Sequence, residues 1–86
     1  MLVHLYGQLR YPPRAFERGI VGVPVTTFIV ERDGSITGVR TVRSAHRLLD
    51  AEARRVIASM PRWSPGVQRG QPVRVQFNLP ITFSVE

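Results

Sequence analysis

The sequence predicts an α+β domain in which two helices cover one face of a three-stranded antiparallel sheet. Three observations lead to this prediction: an alternating apolar pattern at the end of the chain, an apolar segment followed by an Asp-Gly turn, and a helical apolar stripe between the two. With 86 residues the chain is long enough for one domain with one thin core. The expected order is helix, strand, strand, helix, strand.

The first helix is predicted within residues 11–19 and is short. Proline stands in its first turn, at Pro12 and Pro13, and Gly19 follows its end. A helix of two turns is marginal in isolation, so we expect Ala15 and Phe16 to hold it by packing on the sheet.

A hairpin of two strands is predicted next. Residues 23–31 are apolar on both alternating faces, which suits a central strand, with Pro24 tolerated only at its start. The Asp33-Gly34 pair supplies the tight reversal, and the return strand runs over residues 36–43. Its apolar residues are an odd number apart, which either a bulge or a short partner strand would explain.

The second helix is predicted after a loop over residues 44–48. Asp50 is the expected N-cap, Glu52 favours the first turn, and Pro61 ends the helix. Its apolar stripe repeats at three and four positions, through Leu49, Ala53, Val56, Ile57 and Met60. Trp63 is expected to close the helix–strand junction as part of the core, and a glycine-closed loop is predicted to reach Gly70.

The last strand, residues 71–85, has the most regular pattern in the chain. Every second residue is apolar and the residues between them are polar, so one face is expected to be buried: Val73, Val75, Phe77, Leu79, Ile81 and Phe83. Pro80 donates no ladder hydrogen bond and therefore favours an edge position. The helix crossover independently gives the sheet order 2-1-3, with the last strand at an edge.

Composition restricts the partners and the compartment only loosely. All twelve basic residues are arginine and the formal net charge is +6, which suits an anionic partner but also a diffuse solvated surface, because the arginines are scattered. The chain has no cysteine and no apolar run near the roughly 18 residues that span a bilayer. Residues 1–10 are predicted to be an extended lead-in, and residues 11–86 the domain.

No arrangement of side chains predicts catalysis, a metal site or a cofactor. Every carboxylate has a structural explanation in a turn, a cap, a helix or the terminus. His4 and His46 lie in the lead-in and in a loop without a second ligand at metal spacing. The polar face of the last strand carries no aromatic ring, which argues against nucleic acid.

Four segments in this order carry a resemblance to a known family: YPPRAFERGIVG, FIVERDGSITGVRTVRS, LLDAEARRVIASMPRWSPG and GQPVRVQFNLPITF. They strongly resemble the C-terminal domain of TonB, the energy transducer of Gram-negative cell envelopes, from Tyr11 to Phe83. The resemblance implies the fold predicted above, the TonB/TolA C-terminal type. It also implies a periplasmic domain, an inner-membrane anchor, a proline-rich linker and coupling to the ExbB–ExbD proton-driven motor.

The partner that the resemblance implies is the TonB box, a short extended segment of an outer-membrane transporter for siderophores, cobalamin, haem or glycans. It adds as a further strand to the last strand of the domain, and the Tyr-Pro pair before the first helix lies near the bound transporter. The implied partner-binding residues are Arg10, Tyr11, Pro12, Val73, Arg74, Val75, Gln76, Phe77, Asn78 and Leu79.

The chain departs from familiar members of this family at three places. Arg10 stands where glutamine is usual, and Pro24 and Thr26 stand where β-branched apolar residues are usual, which predicts a short first strand. Neither anchor nor linker is present, so we interpret the chain as a fragment or a detached module. Two alternatives stay open at this stage: a basic module that binds peptidoglycan or nucleic acid, and a homodimer that exchanges its last strand.

Overall fold

A three-stranded antiparallel sheet with two helices on it forms the body of the molecule. The computed structural model describes residues 9–84. The predictions for His4, for most of the lead-in and for Glu86 lie outside the described residues. The elements are α1 (Pro13–Glu17), β1 (Val25–Val30), β2 (Ile36–Arg43), α2 (Arg47–Ser59), β3 (Gly66–Gln68), β4 (Gln71–Val73) and β5 (Val75–Pro80). The strand order β2-β1-β5 confirms the predicted fold class and the predicted order 2-1-3.

The core lies between the sheet and α2. The predicted stripe of α2 is buried as expected, and it meets the helix-facing side chains of β1, Phe28 and Val30, which are fully buried. Ala15 of α1 joins the same cluster, as do Ile81 and Phe83 after β5. No helix within residues 9–84 is long and apolar enough to cross a membrane.

The first helix departs from prediction in its contact with the sheet. Ala15 is fully buried, but Phe16 is 59% exposed. The Phe16 ring meets the edge of Tyr11, with ring centroids 5.7 Å apart, instead of packing on the sheet. A helix of five residues presents only one residue to the core, and Ala15 occupies that position.

The hairpin of β1 and β2 is confirmed, and the irregularity of β2 is a bulge. The pairing of β1 with β2 shifts register twice, once between Thr27 and Ile29. Gly38 lies in that interval with a positive φ of 63°, which glycine adopts without strain. The extra residue brings Ile36 and Val39 to the same face, where both contact the core.

The turn of this hairpin depends on Gly34, which has a φ of +87°. A Cβ at this position would lie 2.3 Å from the carbonyl oxygen of Trp63, so only glycine fits. The Trp63 N–H also donates to the Gly34 carbonyl oxygen at 2.8 Å. Asp33 closes the turn by accepting hydrogen bonds from the backbone and the hydroxyl of Ser35.

Helix α2 begins earlier than predicted. His46, expected in a loop, is the N-cap, and its Nδ1 accepts the Leu48 N–H at 3.1 Å. The prediction of Asp50 as N-cap is therefore wrong. Asp50 instead lies in the first turn, is 5% exposed, and accepts hydrogen bonds from the Ser44 hydroxyl and the Ala45 N–H. An acidic residue there stabilises both the helix start and the preceding loop.

The predicted long last strand is divided into β4 and β5. No pairing is assigned at Arg74, and β4 forms a two-stranded hairpin with β3, which lies in the stretch predicted as a loop. The turn of this hairpin has positive φ at Arg69 and Gly70, 54° and 76°, the geometry that two-residue hairpins favour. Strand β5 ends at Pro80.

Candidate functional site at the open sheet edge

Strand β5 borders the sheet, with β1 on one side and no strand of the described residues on the other. Its register with β1 is unbroken from Val30↔Val75 to Val25↔Pro80. An isolated bridge at Gly22↔Phe83 continues the same register beyond both strands. The ladder therefore fixes the orientation of every backbone group along this edge.

The backbone hydrogen bonds near the end of the ladder show which groups point outward. Gly22 and Phe83 exchange both hydrogen bonds, and the Ile81 N–H donates to the Pro24 carbonyl oxygen at 3.1 Å. Because bonded and non-bonded pairs alternate in an antiparallel ladder, Val75, Phe77 and Leu79 direct their backbone groups toward β1. The N–H and C=O groups of Gln76 and Asn78 consequently point away from the sheet, toward solvent. The nitrogen of Pro80 also faces this side, where no N–H is needed.

The same edge continues along β4. Val73 pairs with Gly66, and Gln68 pairs with Gln71 beside the turn. Pro72 lies between these pairs, so its nitrogen faces away from β3. A Cβ on Gly66, at the start of β3, would lie 2.5 Å from Val75 Cγ2 and 3.3 Å from Val73 Cγ2, so β3 begins beside residues of both β4 and β5. Strands β4 and β5 belong to separate sheets, and no pairing is assigned at Arg74. The alternation from Val73 to Val75 directs the Arg74 N–H away from the paired strands, so the open edge of β5 extends through Arg74 to Pro72.

The helix-facing side of this edge is apolar and partly open. Phe77 stacks on Phe28 with ring centroids 5.7 Å apart and lies 5.6 Å from Trp63. The prediction that Phe77 is buried is wrong, because 39% of it remains exposed, whereas Phe28 is fully buried. Trp63, half-buried as the predicted junction residue, packs against the core with its ring centroid 5.1 Å from that of Phe28. The exposed part of Phe77 is an apolar surface directly beside the open backbone.

The opposite side of the edge carries polar side chains held by β1. The Arg74 Nε donates to Glu31 Oε1 at 2.7 Å. Gln76 Nε2 donates to the Thr27 hydroxyl at 3.0 Å, and this hydroxyl donates to the Phe77 carbonyl oxygen at 3.0 Å. These contacts direct the side chains of Arg74 and Gln76 toward Glu31 and β1.

Glu31 is the charged group that holds the Arg74 side chain at the end of the site nearest β4. Hydrogen bonds from the Thr37 hydroxyl and from Arg74 hold the pKa of Glu31 below its ordinary value, so it stays ionised at neutral pH. A shallow depression beside it is lined by Glu31, Arg32, Asp33, Ser35 and Arg74. Its lining mixes both charges, so it is not a dedicated anion site.

The predicted site residues fall into two groups. Val73 to Leu79 lie along the open edge, whereas Arg10 to Pro12 belong to the segment before α1, which contacts α2 and Phe83. The Arg10 N–H donates to Glu52 of α2 at 2.7 Å. Tyr11 contacts the edge of the Phe83 ring, with centroids 5.5 Å apart, and its hydroxyl donates to the Ile20 carbonyl oxygen. The Tyr-Pro group is thus adjacent to the continuation of the edge strand, not to β5 itself.

Three contributors to the site were missed by sequence reasoning. Glu31 and Thr27 orient the edge side chains, and Pro72 lies on the outward side of β4, but these relations cross strands that only the fold brings together. The sequence signal for Pro72 is its place two residues after Gly70, which ends the predicted loop. Within residues 9–84, no group of three or more histidine or acidic residues is placed to hold a metal ion.

Comparisons with known proteins agree with this geometry. The family described as Gram-negative bacterial TonB protein C-terminal matches residues 7–85. Comparison with curated protein sequences gives no significant match. Two solution NMR structures of the Helicobacter pylori TonB C-terminal domain are similar to the chain. The longer form has a TM-score of 0.77 at 24% identity, with 99% of this chain and 77% of that chain covered.

The shorter form of the same Helicobacter pylori domain has a TM-score of 0.73 at 26% identity, with 98% of this chain and 88% of that chain covered. The family match extends over nearly the whole chain, and the similar structures share its strand order and helices. The chain therefore belongs to the family of Gram-negative bacterial TonB protein C-terminal domains.

Proposed function

We propose that the open edge of β5 binds the TonB box of an outer-membrane transporter by β-strand addition. Domains of this family belong to TonB-type energy transducers; they are periplasmic transducing and binding modules, not known as enzymes, and interact with outer-membrane transporters. The observation that carries the proposal is the outward backbone of Gln76 and Asn78, which pairs with no strand of residues 9–84, beside the partly exposed ring of Phe77. An extended peptide satisfies these donors and acceptors and covers the ring in one step.

The expected affinity is modest. Each net backbone hydrogen bond contributes about 0.5–1.5 kcal/mol, and ordering a disordered peptide costs about 2–5 kcal/mol. A ladder of a few residues with one apolar contact then gives roughly micromolar binding. Such a complex forms and dissociates readily, which suits a partner that must be released after each transport event.

Force transmission follows from the direction of the bonds. Pull applied along a strand loads several ladder hydrogen bonds together, because they lie across the direction of pull. A weak binder thereby resists force better than its affinity suggests. In the full-length transducer we place the source of this force in an inner-membrane anchor and the ExbB–ExbD motor, and its purpose in the uptake of siderophores or other nutrients.

Proline substitution at one outward-facing position tests the binding edge. Asn78→Pro removes an N–H that points to solvent and puts a ring in the path of an added strand, while the ladder with β1 stays complete. We expect the affinity for a synthetic TonB-box peptide, measured by calorimetry, to fall at least tenfold, with little change in thermal stability. Asn78→Ala keeps the N–H and serves as the matched control.

A second proline variant distinguishes loss of the binding edge from general damage to the strand. Sequence alone predicts the same result for proline at Val75 or Asn78, but the N–H of Val75 points to β1. Val75→Pro is therefore expected to lower the stability of the domain itself. If Asn78→Pro folds normally and binds the peptide as tightly as the Asn78→Ala control, strand addition at β5 is ruled out.

A further inference from the structure

Two prolines stand on the open edge at equal distances from its centre. Pro72 in β4 and Pro80 in β5 are both exposed, and both direct the ring nitrogen away from the paired side. Gln76 lies midway between them. The fold explains why a proline is tolerated at such positions, because none of the ladder bonds is lost, but it requires a proline at neither.

We propose that Pro72 and Pro80 frame the edge, so that it accepts a ladder of only about five residues in one register, opposite Arg74 to Asn78. This inference rests on the proposed strand addition and adds the length and pattern of the segment bound. Between the prolines, the outward N–H donors are those of Arg74, Gln76 and Asn78. At either proline the donor is missing and the ring occupies the space where a partner carbonyl would lie.

The side chains beside the edge define the pattern of the bound segment. A partner residue opposite Phe77 lies on the helix-facing side of the sheet, where the ring is 39% exposed. A partner residue opposite Gln76 lies on the polar side, next to the Gln76–Thr27 hydrogen bond. The framed edge therefore selects an extended segment with apolar second and fourth residues, opposite Val75 and Phe77, and polar residues between them.

The same frame opposes pairing between two copies of the chain. In an antiparallel edge-to-edge pair centred on Gln76, Pro72 of one copy faces Pro80 of the other, and neither supplies an N–H. Extension of that ladder beyond Asn78 is blocked at both ends. The prolines thus leave the edge open to a short foreign segment while limiting its use as a template for self-association.

Extended peptides test the frame. The probes are a capped five-residue peptide of alternating threonine and valine, and the same peptide lengthened by two residues at each end. We expect the wild-type domain to bind both equally in an NMR titration. In Pro80→Val, which gains one outward N–H, the longer peptide is expected to bind about three- to tenfold more tightly than the shorter one, the effect of one net hydrogen bond.

Pro72→Val is the matched variant at the other end and is expected to give the same gain, so the test does not depend on one substitution. The double variant is expected to dimerise at lower concentration in sedimentation. If the wild-type domain already prefers the longer peptide by as much as the variants do, the frame is wrong. If the β5 resonances shift with none of the three peptides, the short one, the long one and a TonB-box peptide, strand addition itself is ruled out. This outcome is distinct from an equal preference for the longer peptide, which rules out only the frame.

Discussion

At the scale of single residues, the neighbouring threonines Thr26 and Thr27 of β1 differ in the hydrogen bonding of their hydroxyl groups. Both are buried, at 0% and 1% exposure. The hydroxyl of Thr27 donates to the Phe77 carbonyl oxygen and accepts from Gln76, so it ties β1 to the edge strand. The hydroxyl of Thr26 lies on the helix-facing side and has no hydrogen-bond partner among the residues that the structure describes. A buried unpaired hydroxyl costs free energy that a methyl group of the same shape avoids.

Valine substitution at these two positions is expected to act in opposite directions. Thr26→Val removes the unpaired hydroxyl and should raise the free energy of unfolding by about 1 kcal/mol. Thr27→Val removes two hydrogen bonds and should lower it by about 1 kcal/mol. Urea denaturation of both variants gives the comparison, each serving as the control for the other. Destabilisation by Thr26→Val would show that its hydroxyl has a role absent from this structure.

At the scale of elements, helix α2 could be predicted from its periodicity because one of its faces is buried along its length, and β2 from the turn before it. The stripe of α2 and the bounds of β2 follow from spacing and from the Asp33-Gly34 turn. The start of α2 was misplaced because His46, not an ordinary capping residue, accepts the Leu48 N–H. Aspartate is a more common N-cap residue than histidine, so the sequence favours Asp50 over His46. Only the structure shows that Asp50 instead accepts hydrogen bonds from the loop before the helix.

The last strand shows the limit of pattern more clearly. The alternation of apolar and polar residues continues through Arg74, so the sequence predicts one long strand. In the structure β1 ends at Val30, opposite Val75, and therefore has no residues that could pair with β4. Residues 66–68 supply the missing partner through a hairpin whose turn contains Arg69, a residue that sequence reasoning does not expect at positive φ. The edge position was nevertheless predictable, because Pro80 and the crossover both require it.

The exposure of three phenylalanines predicts how much each contributes to the free energy of unfolding. Phe28 is fully buried, Phe77 is 39% exposed and Phe16 is 59% exposed. Phe28→Ala should lower the free energy of unfolding by about 3–5 kcal/mol, as core phenylalanines do. Phe77→Ala should cost about 1–2 kcal/mol, because only part of its surface leaves water, and Phe16→Ala less than about 1 kcal/mol. Equal losses for Phe77→Ala and Phe28→Ala in chemical denaturation would place Phe77 in the core after all.

At the scale of the whole molecule, a few carboxylates are held among many arginines. Hydrogen bonds from Ser35 lower the pKa of Asp33, and the bonds from Thr37 and Arg74 lower that of Glu31. For Glu52, partial burial raises the pKa, but the Arg55 side chain and the Arg10 N–H outweigh it and leave it lowered. With a net charge of +6, loss of these negative charges also increases repulsion between the arginines.

Acid is therefore expected to destabilise the domain. A carboxylate whose pKa is lower in the folded chain contributes stability that is complete above its unfolded pKa and is lost as the pH falls through the folded value. The ordinary values are 4.5 for glutamate and 3.8 for aspartate, so the loss should begin near pH 4.5 and continue below it. Urea denaturation between pH 7 and pH 3 measures this loss. Stability that stays constant between pH 5 and pH 3 would contradict this expectation.

Glu52→Gln identifies one source of the acid effect. This variant keeps the shape of the side chain but not its charge, so it should be less stable than the wild type at pH 7 and lose less stability on acidification. Glu17→Gln is the matched control, because Glu17 is exposed on α1 and makes no ion pair within residues 9–84. Its denaturation curves should follow those of the wild type at every pH. Parallel acid losses in Glu52→Gln and the wild type would assign the effect to overall charge repulsion instead of to the contacts that Glu52 makes with Arg10 and Arg55.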